Sequence, residues 1–167
     1  YLANIVGCTR QFAYSKLNKN TIDMVLSVNG IPVVALELKD QFKGQNVNDA
    51  IFQFQNDRDS RELCFRLNHR FLVYFAVDLY EVYMTTQLAD KATHFIPFNQ
   101  GSNGAGVTGG KGNPQNPEGY TTAYLWEKVL QRDSLLDLIN KFIVFVTEKE
   151  EMERGGAVRA VERKKLI

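Results

Sequence analysis

The chain has 167 residues, of which 44% are hydrophobic and 23% charged, a composition typical of a globular domain. The net charge of +1 excludes a strongly basic protein, so any contact with nucleic acid must be local. No apolar stretch reaches the roughly 18–20 residues of a membrane span, and the two widely spaced cysteines exclude a disulfide framework. We therefore predict a cytoplasmic protein with reduced thiols and no membrane partner.

The first half of the chain predicts strands followed by a helix. Two runs rich in β-branched residues flank Asn29-Gly30, the strongest short-range signal for a β-hairpin. After a polar loop, apolar residues at helical spacing predict a helix that Asn46 caps and whose first turn contains Asp49. The predicted elements are a strand at 5–14, hairpin strands at 21–28 and 32–39, and a helix from Val47 to about Asp57.

The second half predicts two more strands, a long loop and two helices. The strands are 71–77 and 81–86, the loop rich in Gly, Asn and Pro is 99–119, and the helices are 121–131 and 134 to about 147, the second capped by Asp133 or Ser134. This order predicts an α/β fold with a mixed β-sheet flanked by helices. A highly charged run with a break at Gly155-Gly156 follows, so we expect a domain at 1–147 and a linker at 148–167 towards a further domain.

Three charged residues lie within or at the ends of the two apolar hairpin strands: Asp23, Glu37 and Lys39. Alternate strand residues share a face, so Glu37 and Lys39 point the same way. A strict two-residue turn would set Asp23 opposite Leu36 and place the two carboxylates on opposite faces. We therefore predict a three-residue loop, Asn29-Gly30-Ile31, or an equivalent bulge, either of which sets Asp23 opposite Glu37.

Two carboxylates and a lysine on rigid strands are suited to metal-dependent cleavage of a phosphodiester. Mg²⁺ binds carboxylate and carbonyl oxygens, so Asp23, Glu37 and the backbone carbonyl of Leu38 are the predicted ligands. The metal activates water and stabilises charge on the phosphoryl oxygens. Lys39 would assist the general base or supply a fixed positive charge.

Several alternatives remain open from the residues alone. The three charges could be ordinary solvated side chains at a sheet edge, and the basic residues around them either line a DNA path or are scattered charges; these are Arg10, Lys16, Lys19, Lys39 and Lys43. Zinc binding is disfavoured because the two cysteines and two histidines form no short ligand pairs. A glycine pattern at 104–109 fits a dinucleotide motif literally, but the Gly- and Pro-containing segment after it cannot form the required helix.

The string from Ile22 to Lys39, with Asp23 followed by Glu37-Leu38-Lys39, resembles the PD-(D/E)XK nuclease motif. More widely, the chain to about residue 147 resembles the N-terminal nuclease region of the restriction (R) subunit of type I restriction-modification enzymes. The likeness continues through the segments 57–59, 76–78, 81–86, 97–99, 119–127 and 133–137.

The resemblance implies a restriction-endonuclease-like core and a type I site-specific deoxyribonuclease, a hydrolase that cuts double-stranded DNA without sequence specificity of its own. It implies Asp23 and Glu37 as metal ligands, Lys39 as the catalytic lysine, and Mg²⁺ as the cofactor, with Mn²⁺ as a substitute. Gln53 matches the glutamine of a Gln-x-x-x-Tyr motif that helps to bind DNA, while Asp57 stands at the tyrosine position. Gln53, Lys43 and Lys19 are the predicted DNA contacts.

The same resemblance implies a restriction system in which other parts recognise and move the DNA. The partners would be the specificity and methyltransferase subunits, and ATP would bind only to a motor domain outside this chain. Two other functions fit the sequence less well: a catalytically silent module that docks the translocase onto its partners, and a stand-alone nuclease of DNA repair. A silent module need not keep Asp23, Glu37 and Lys39 together.

Overall fold

The computed structural model describes residues 2–67, 69–104 and 107–143, together with the backbone of 145–154 and 157–166. Its centre is a six-stranded sheet in the order β1-β2-β3-β4-β5-β6. Only the β3–β4 pair is parallel, so the sheet is mixed. The strands are β1 Val6–Ala13, β2 Thr21–Val28, β3 Ile31–Leu38, β4 Val73–Val77, β5 Val82–Thr85 and β6 Ile96–Pro97.

Helical segments lie on both faces of this sheet. Helix α1, Val47–Asn56, packs through Phe54 against Tyr74 of β4, while helix α2, Arg132–Lys141, packs through Leu135 against Phe75 of the same strand. Successive strand residues point to opposite faces, so the two helices cover opposite faces. The architecture is the predicted α/β fold, a mixed sheet flanked by helices that is consistent with a restriction-endonuclease-like core.

The hairpin of β2 and β3 contains the bulge that the candidate site requires. The turn has two residues, because Val28 pairs with Ile31, and Asn29 and Gly30 both have the positive φ of a type I′ turn. The predicted three-residue loop is therefore wrong. The register shifts between Leu26 and Ser27, however, and the extra residue brings Met24 opposite Leu36. The shifted register aligns Asp23 with Glu37, as the predicted equivalent bulge would.

Helix α1 begins as its sequence predicts. The side chain of Asn46 accepts a hydrogen bond from the backbone N–H of Asn48 at 2.8 Å. In return, the carboxylate of Asp49 accepts one from the backbone N–H of Asn46 at 2.7 Å. This capping box satisfies backbone donors that the first turn would otherwise leave unpaired.

The two predicted C-terminal helices are shorter than the sequence indicated. Only a π-helix at Leu125–Val129 forms within the first of them. Helix α2 begins after Gln131, without the side-chain cap expected from Asp133 or Ser134, and ends at Lys141. The predicted extension to about Thr147 is wrong, because a β-branched run follows, and such residues favour strands.

The backbone after this point forms a second, two-stranded antiparallel sheet of β7 Phe145–Arg154 and β8 Ala157–Leu166. The backbone register sets residue 148 opposite residue 163 and residue 149 opposite residue 162. The predicted break at Gly155-Gly156 lies outside the described residues. The division into a domain at 1–147 and a linker at 148–167 stays a prediction. Within the described part of the chain, none of the helices has the length and apolar character needed to cross a bilayer.

Candidate active site

Asp23 and Glu37 lie where the pairing of β2 with β3 ends. The last residues of β2 and β3 that pair through their backbones are Met24 and Leu36. Beyond them, a hydrogen bond to the Asp23 side chain connects the two strands. Its Oδ2 accepts a hydrogen bond from the backbone N–H of Leu38 at 2.9 Å, and its Oδ1 accepts one from the side-chain amide of Gln11 at 3.0 Å. Each carboxylate oxygen has a second lone pair, so these two bonds leave Asp23 able to bind a cation.

Glu37 is completely buried, with 0% of its surface exposed. Its Oε1 accepts hydrogen bonds from two nitrogens of Arg58, with Nε at 3.0 Å, and the two side chains form a buried ion pair. Its Oε2 is buried, and in the ionised carboxylate it accepts no hydrogen bond. A buried polar atom without a partner is costly and needs a physical reason.

The buried position changes the acidity of Glu37. Its pKa is raised from 4.5 to about 7, chiefly because burial desolvates the carboxylate. The Arg58 cation opposes this rise, and the negative charge of Asp23 and a hydrogen bond between the two carboxyl groups add to it. Two carboxyl groups that share one site resist ionising together unless a cation joins them. The two neighbouring carboxyl groups of Asp23 and Glu37 therefore favour the binding of a cation between them.

Lys39 follows β3 directly and is held on both its backbone and its side chain. Its backbone N–H donates to the carbonyl of Val77 in β4 at 2.8 Å, which extends the parallel pairing by one residue. Its ammonium group donates to Oε1 of Gln53 on α1 at 2.5 Å. The contact brings together a predicted catalytic residue and a predicted DNA contact from two different elements.

Leu38 lies between Glu37 and Lys39, and its backbone carbonyl is available on the side of the strand that faces Asp23. The N–H of Leu38 points towards Asp23, and in an extended strand the N–H and C=O of one residue point to the same neighbour. The Leu38 carbonyl is therefore directed towards the carboxylates. No group of three or more His, Cys, Asp or Glu side chains suited to a metal occurs among the described residues. A cation here would be bound by two carboxylates and this carbonyl, a set of hard oxygen ligands that fits Mg²⁺.

A polar cleft opens beside these groups. It is lined by Gln11, Lys19, Asn20, Thr21, Asp23, Gln53, Asp57 and Arg58. Lys19 thus borders the same cleft as Asp23, and its role as a DNA contact stays a prediction. Lys43 does not line the cleft and is exposed on a 3-10 turn at Gln41–Lys43, five residues after Leu38.

Arg58 is the site residue that sequence reasoning missed. It is 3% exposed and lies 21 positions along the chain from the glutamate that it contacts. The sequence points to Arg58 only because it lies in the segment Asp57-Arg58-Asp59, which is part of the family resemblance. The resemblance does not assign a role to this segment. A charged triplet just after a helix is more often solvent-exposed, so its burial was not predictable from local pattern.

Other sequence candidates do not join the site. Cys8 and Cys64 are both free thiols, and burial raises the pKa of Cys64 to about 11, which keeps it protonated. The glycine pattern at 104–109 includes Ala105 and Gly106, which lie outside the described residues. The buried Asp78 accepts hydrogen bonds from the backbone N–H groups of Val47, Tyr80 and Glu81, so its role in the fold is to fix a turn and the start of α1.

The fold and the site define a class: an α/β domain with a restriction-endonuclease-like core that places two carboxylates and a lysine at the ends of adjacent strands. The family described as type I restriction enzyme R protein N terminus matches residues 1–93, more than half of the chain. The chain belongs to this family. No curated protein and no solved structure matches it significantly.

Proposed function

We propose that this chain is the Mg²⁺-dependent endonuclease domain of a type I restriction enzyme R subunit, and that it cleaves the phosphodiester bonds of double-stranded DNA. The observation that carries the proposal is the closeness of the Asp23 carboxyl group to the buried Glu37, whose Oε2 accepts no hydrogen bond from an N–H or hydroxyl donor of the protein. A solvated sheet-edge charge would be hydrated, whereas this oxygen is shielded from water. A divalent cation would satisfy it and the excess negative charge together.

In this proposal Asp23, Glu37 and the carbonyl of Leu38 would hold the metal. When bound, Mg²⁺ supplies positive charge beside the scissile phosphate and makes water a better nucleophile at neutral pH. Asp23 is kept in place by the Leu38 N–H and by Gln11, so the ligand geometry is largely preformed. Such preorganisation is what lowers the cost of charge development in a transition state.

Lys39 is the protein side chain that would compensate the negative charge on the phosphoryl oxygens. Its ammonium group is held by Gln53 rather than by a carboxylate, so its positive charge is not neutralised by an ion pair. It is therefore available to stabilise negative charge on the phosphoryl oxygens, or to hold a proton beside the attacking water. The contact with Gln53 fixes its direction from α1.

DNA would approach through the polar cleft. Lys19 and Gln53 line the cleft, and Lys43 lies on the exposed turn that follows β3. With a net charge of only +1, the chain offers little long-range attraction for DNA. Delivery of DNA would therefore depend on the rest of the restriction complex: the specificity and methyltransferase subunits and the ATP-driven translocase that the family resemblance implies.

The test is made in the full-length R subunit assembled with its partner subunits. Glu37→Gln and Lys39→Ala should abolish DNA cutting and leave ATP hydrolysis intact, because neither residue belongs to a motor domain. Glu118→Gln and Lys111→Ala are matched controls, since both residues are exposed and lie outside the cleft. Undiminished cutting by Glu37→Gln or Lys39→Ala would refute the proposal. Loss of ATP hydrolysis along with cutting would favour the docking module instead.

A further inference from the structure

Arg58 is the only buried basic side chain among the described residues. A buried arginine is costly unless every part of its guanidinium group is used. Here Nε and Nη2 both donate to Oε1 of Glu37. Arg58 therefore donates hydrogen bonds to one carboxylate oxygen of Glu37 and none to the other.

The guanidinium group is also anchored independently of Glu37. Its Nη2 donates to the carbonyl of Thr21 at 2.8 Å, and its Nη1 donates to the carbonyl of Asp57 at 3.4 Å. Its carbon lies 5.4 Å from the centre of the Tyr14 ring, within range of a cation–π interaction. Because Thr21 and Tyr14 lie in segments far along the chain from Arg58, the position of the guanidinium is set by the fold and not by the glutamate alone.

The pairing geometry has a consequence for the second oxygen. An arginine facing a carboxylate usually binds it in a fork, with one N–H to each oxygen. Here both donors converge on Oε1, and no N–H or hydroxyl donor of the protein faces Oε2 although it is buried. Rotation of the carboxylate away from this orientation would break two charged hydrogen bonds.

We propose that Arg58 is a positioning residue of the nuclease site, which holds Oε1 of Glu37 so that Oε2 alone is presented to the divalent metal. The inference rests on the proposed function and names a residue that acts on the metal through Glu37. Groups that orient metal ligands typically change metal affinity by about 10- to 100-fold when they are removed.

The inference can be tested by measuring Mn²⁺ binding to the chain, without any DNA cutting. The electron paramagnetic resonance signal of free Mn²⁺ decreases as the ion binds, and this decrease gives the affinity. Arg58→Met should weaken Mn²⁺ binding at least about tenfold. Arg58→Lys keeps the charge but not the fork of donors, so its Mn²⁺ affinity should lie between those of the wild type and Arg58→Met. Arg61→Met is the matched control. Arg61 forms an ion pair with Asp59 but is 84% exposed, so its loss should leave Mn²⁺ affinity unchanged.

A double variant separates a positioning role from a general effect on the fold. If Arg58 acts through Glu37, Glu37→Gln combined with Arg58→Met should bind Mn²⁺ no more weakly than Glu37→Gln alone. Wild-type affinity, or tighter binding, in Arg58→Met alongside weak binding in Glu37→Gln would overturn the inference and leave the proposed function standing. Failure of the wild-type chain to bind Mn²⁺, or full binding by Glu37→Gln, would overturn both.

A crystal structure of the wild-type chain with Mn²⁺ covers the case in which Arg58→Met does not fold. We expect Mn²⁺ on Oε2 of Glu37, with Arg58 still on Oε1. Mn²⁺ bound to Oε1 or to both oxygens, with Arg58 displaced, would contradict the positioning role.

Discussion

The carboxylate of Asp23 accepts a hydrogen bond from the backbone N–H of Leu38 at 2.9 Å, so a side chain of β2 fastens the backbone next to Glu37. The contact connects β2 to β3 at the end of the hairpin away from its turn, beyond the last backbone-paired residues, Met24 and Leu36. One carboxylate thereby serves both as an attachment for β3 and as a candidate ligand. The two roles can be separated by substitution.

Asp23→Asn removes the charge of this residue but keeps an oxygen that can accept the Leu38 hydrogen bond. We expect the free energy of unfolding to change by less than about 1 kcal/mol, while Mn²⁺ affinity falls at least about tenfold because a ligand charge is lost. Asp40→Asn is the matched control, since Asp40 also accepts a backbone hydrogen bond, from Phe42 at 2.9 Å. Calorimetry of unfolding and a Mn²⁺ titration measure the two effects, and unchanged Mn²⁺ affinity in Asp23→Asn would count against its role as a ligand.

The buried Glu37 should make the stability of the metal-free chain depend on pH. Its pKa is raised from 4.5 to about 7, so between these pH values the native state binds more protons than the unfolded chain. The free energy of unfolding of the wild type, relative to Glu37→Gln, should therefore fall as pH rises from 4.5 to 7, by on the order of 1 kcal/mol per pH unit at most.

Urea unfolding of both proteins in the presence of a chelator measures this difference. Subtraction of the Glu37→Gln curve removes the contribution of the other titrating groups. A difference that stays constant across this window, or that rises with pH, would mean that Glu37 is ionised throughout and that its burial is fully compensated by Arg58.

Gln53 is expected to act on catalysis through Lys39 and not on metal binding. Gln53→Leu removes the acceptor that holds the Lys39 ammonium group, and misplacement of a catalytic group by about 1 Å can cost roughly 100-fold in rate. We expect DNA cutting by the assembled restriction complex to fall by 10- to 100-fold, on the order of that estimate, while Mn²⁺ affinity of the chain is unchanged.

The matched control is Gln55→Leu on the same helix. The amide of Gln55 donates to the carbonyl of Thr93 at 3.0 Å, away from Lys39, so its loss should affect stability without an effect on cutting. Equal cutting by Gln53→Leu and Gln55→Leu would show that the contact with Lys39 has no catalytic consequence.

The capping box of α1 supports the helix that carries Gln53. Asn46→Ala removes the side-chain acceptor for the Asn48 N–H and should lower the free energy of unfolding by about 1 kcal/mol. Asn48→Ala is the control, because Asn48 takes part in the box only through its backbone. Thermal unfolding of the two variants checks this, and equal stability of Asn46→Ala and Asn48→Ala would contradict the capping role.

The hairpin, α1 and its cap could be predicted from the sequence because each depends on local rules. Asn29-Gly30 specifies a tight turn, and Asn46 with Asp49 specifies a helix start. The need for one extra residue between Asp23 and Glu37 could also be predicted from the two-residue period of strands. Its location could not: the turn is the tight one that Asn-Gly favours, and the extra residue lies in a bulge further along the strands.

The Arg58 contact and the ends of the C-terminal helices required the tertiary structure. Arg58 reaches Glu37 from 21 positions away, and nothing in a charged triplet distinguishes a buried arginine from a solvated one. Helix α2 has an apolar stripe that continues past Lys141, yet it stops there, because the β-branched residues that follow favour the strand β7. Periodicity indicated that a helix exists and not where it ends.

The most direct test of metal binding by Asp23 and Glu37 is the location of Mn²⁺ by anomalous X-ray diffraction from crystals of this chain grown with Mn²⁺ and a short DNA duplex. We expect an anomalous peak between the carboxylates of Asp23 and Glu37, beside the Leu38 carbonyl, with Lys39 on the same side of the sheet. A crystal containing DNA and saturating Mn²⁺ that shows no peak at this position, or shows one only elsewhere, would contradict it.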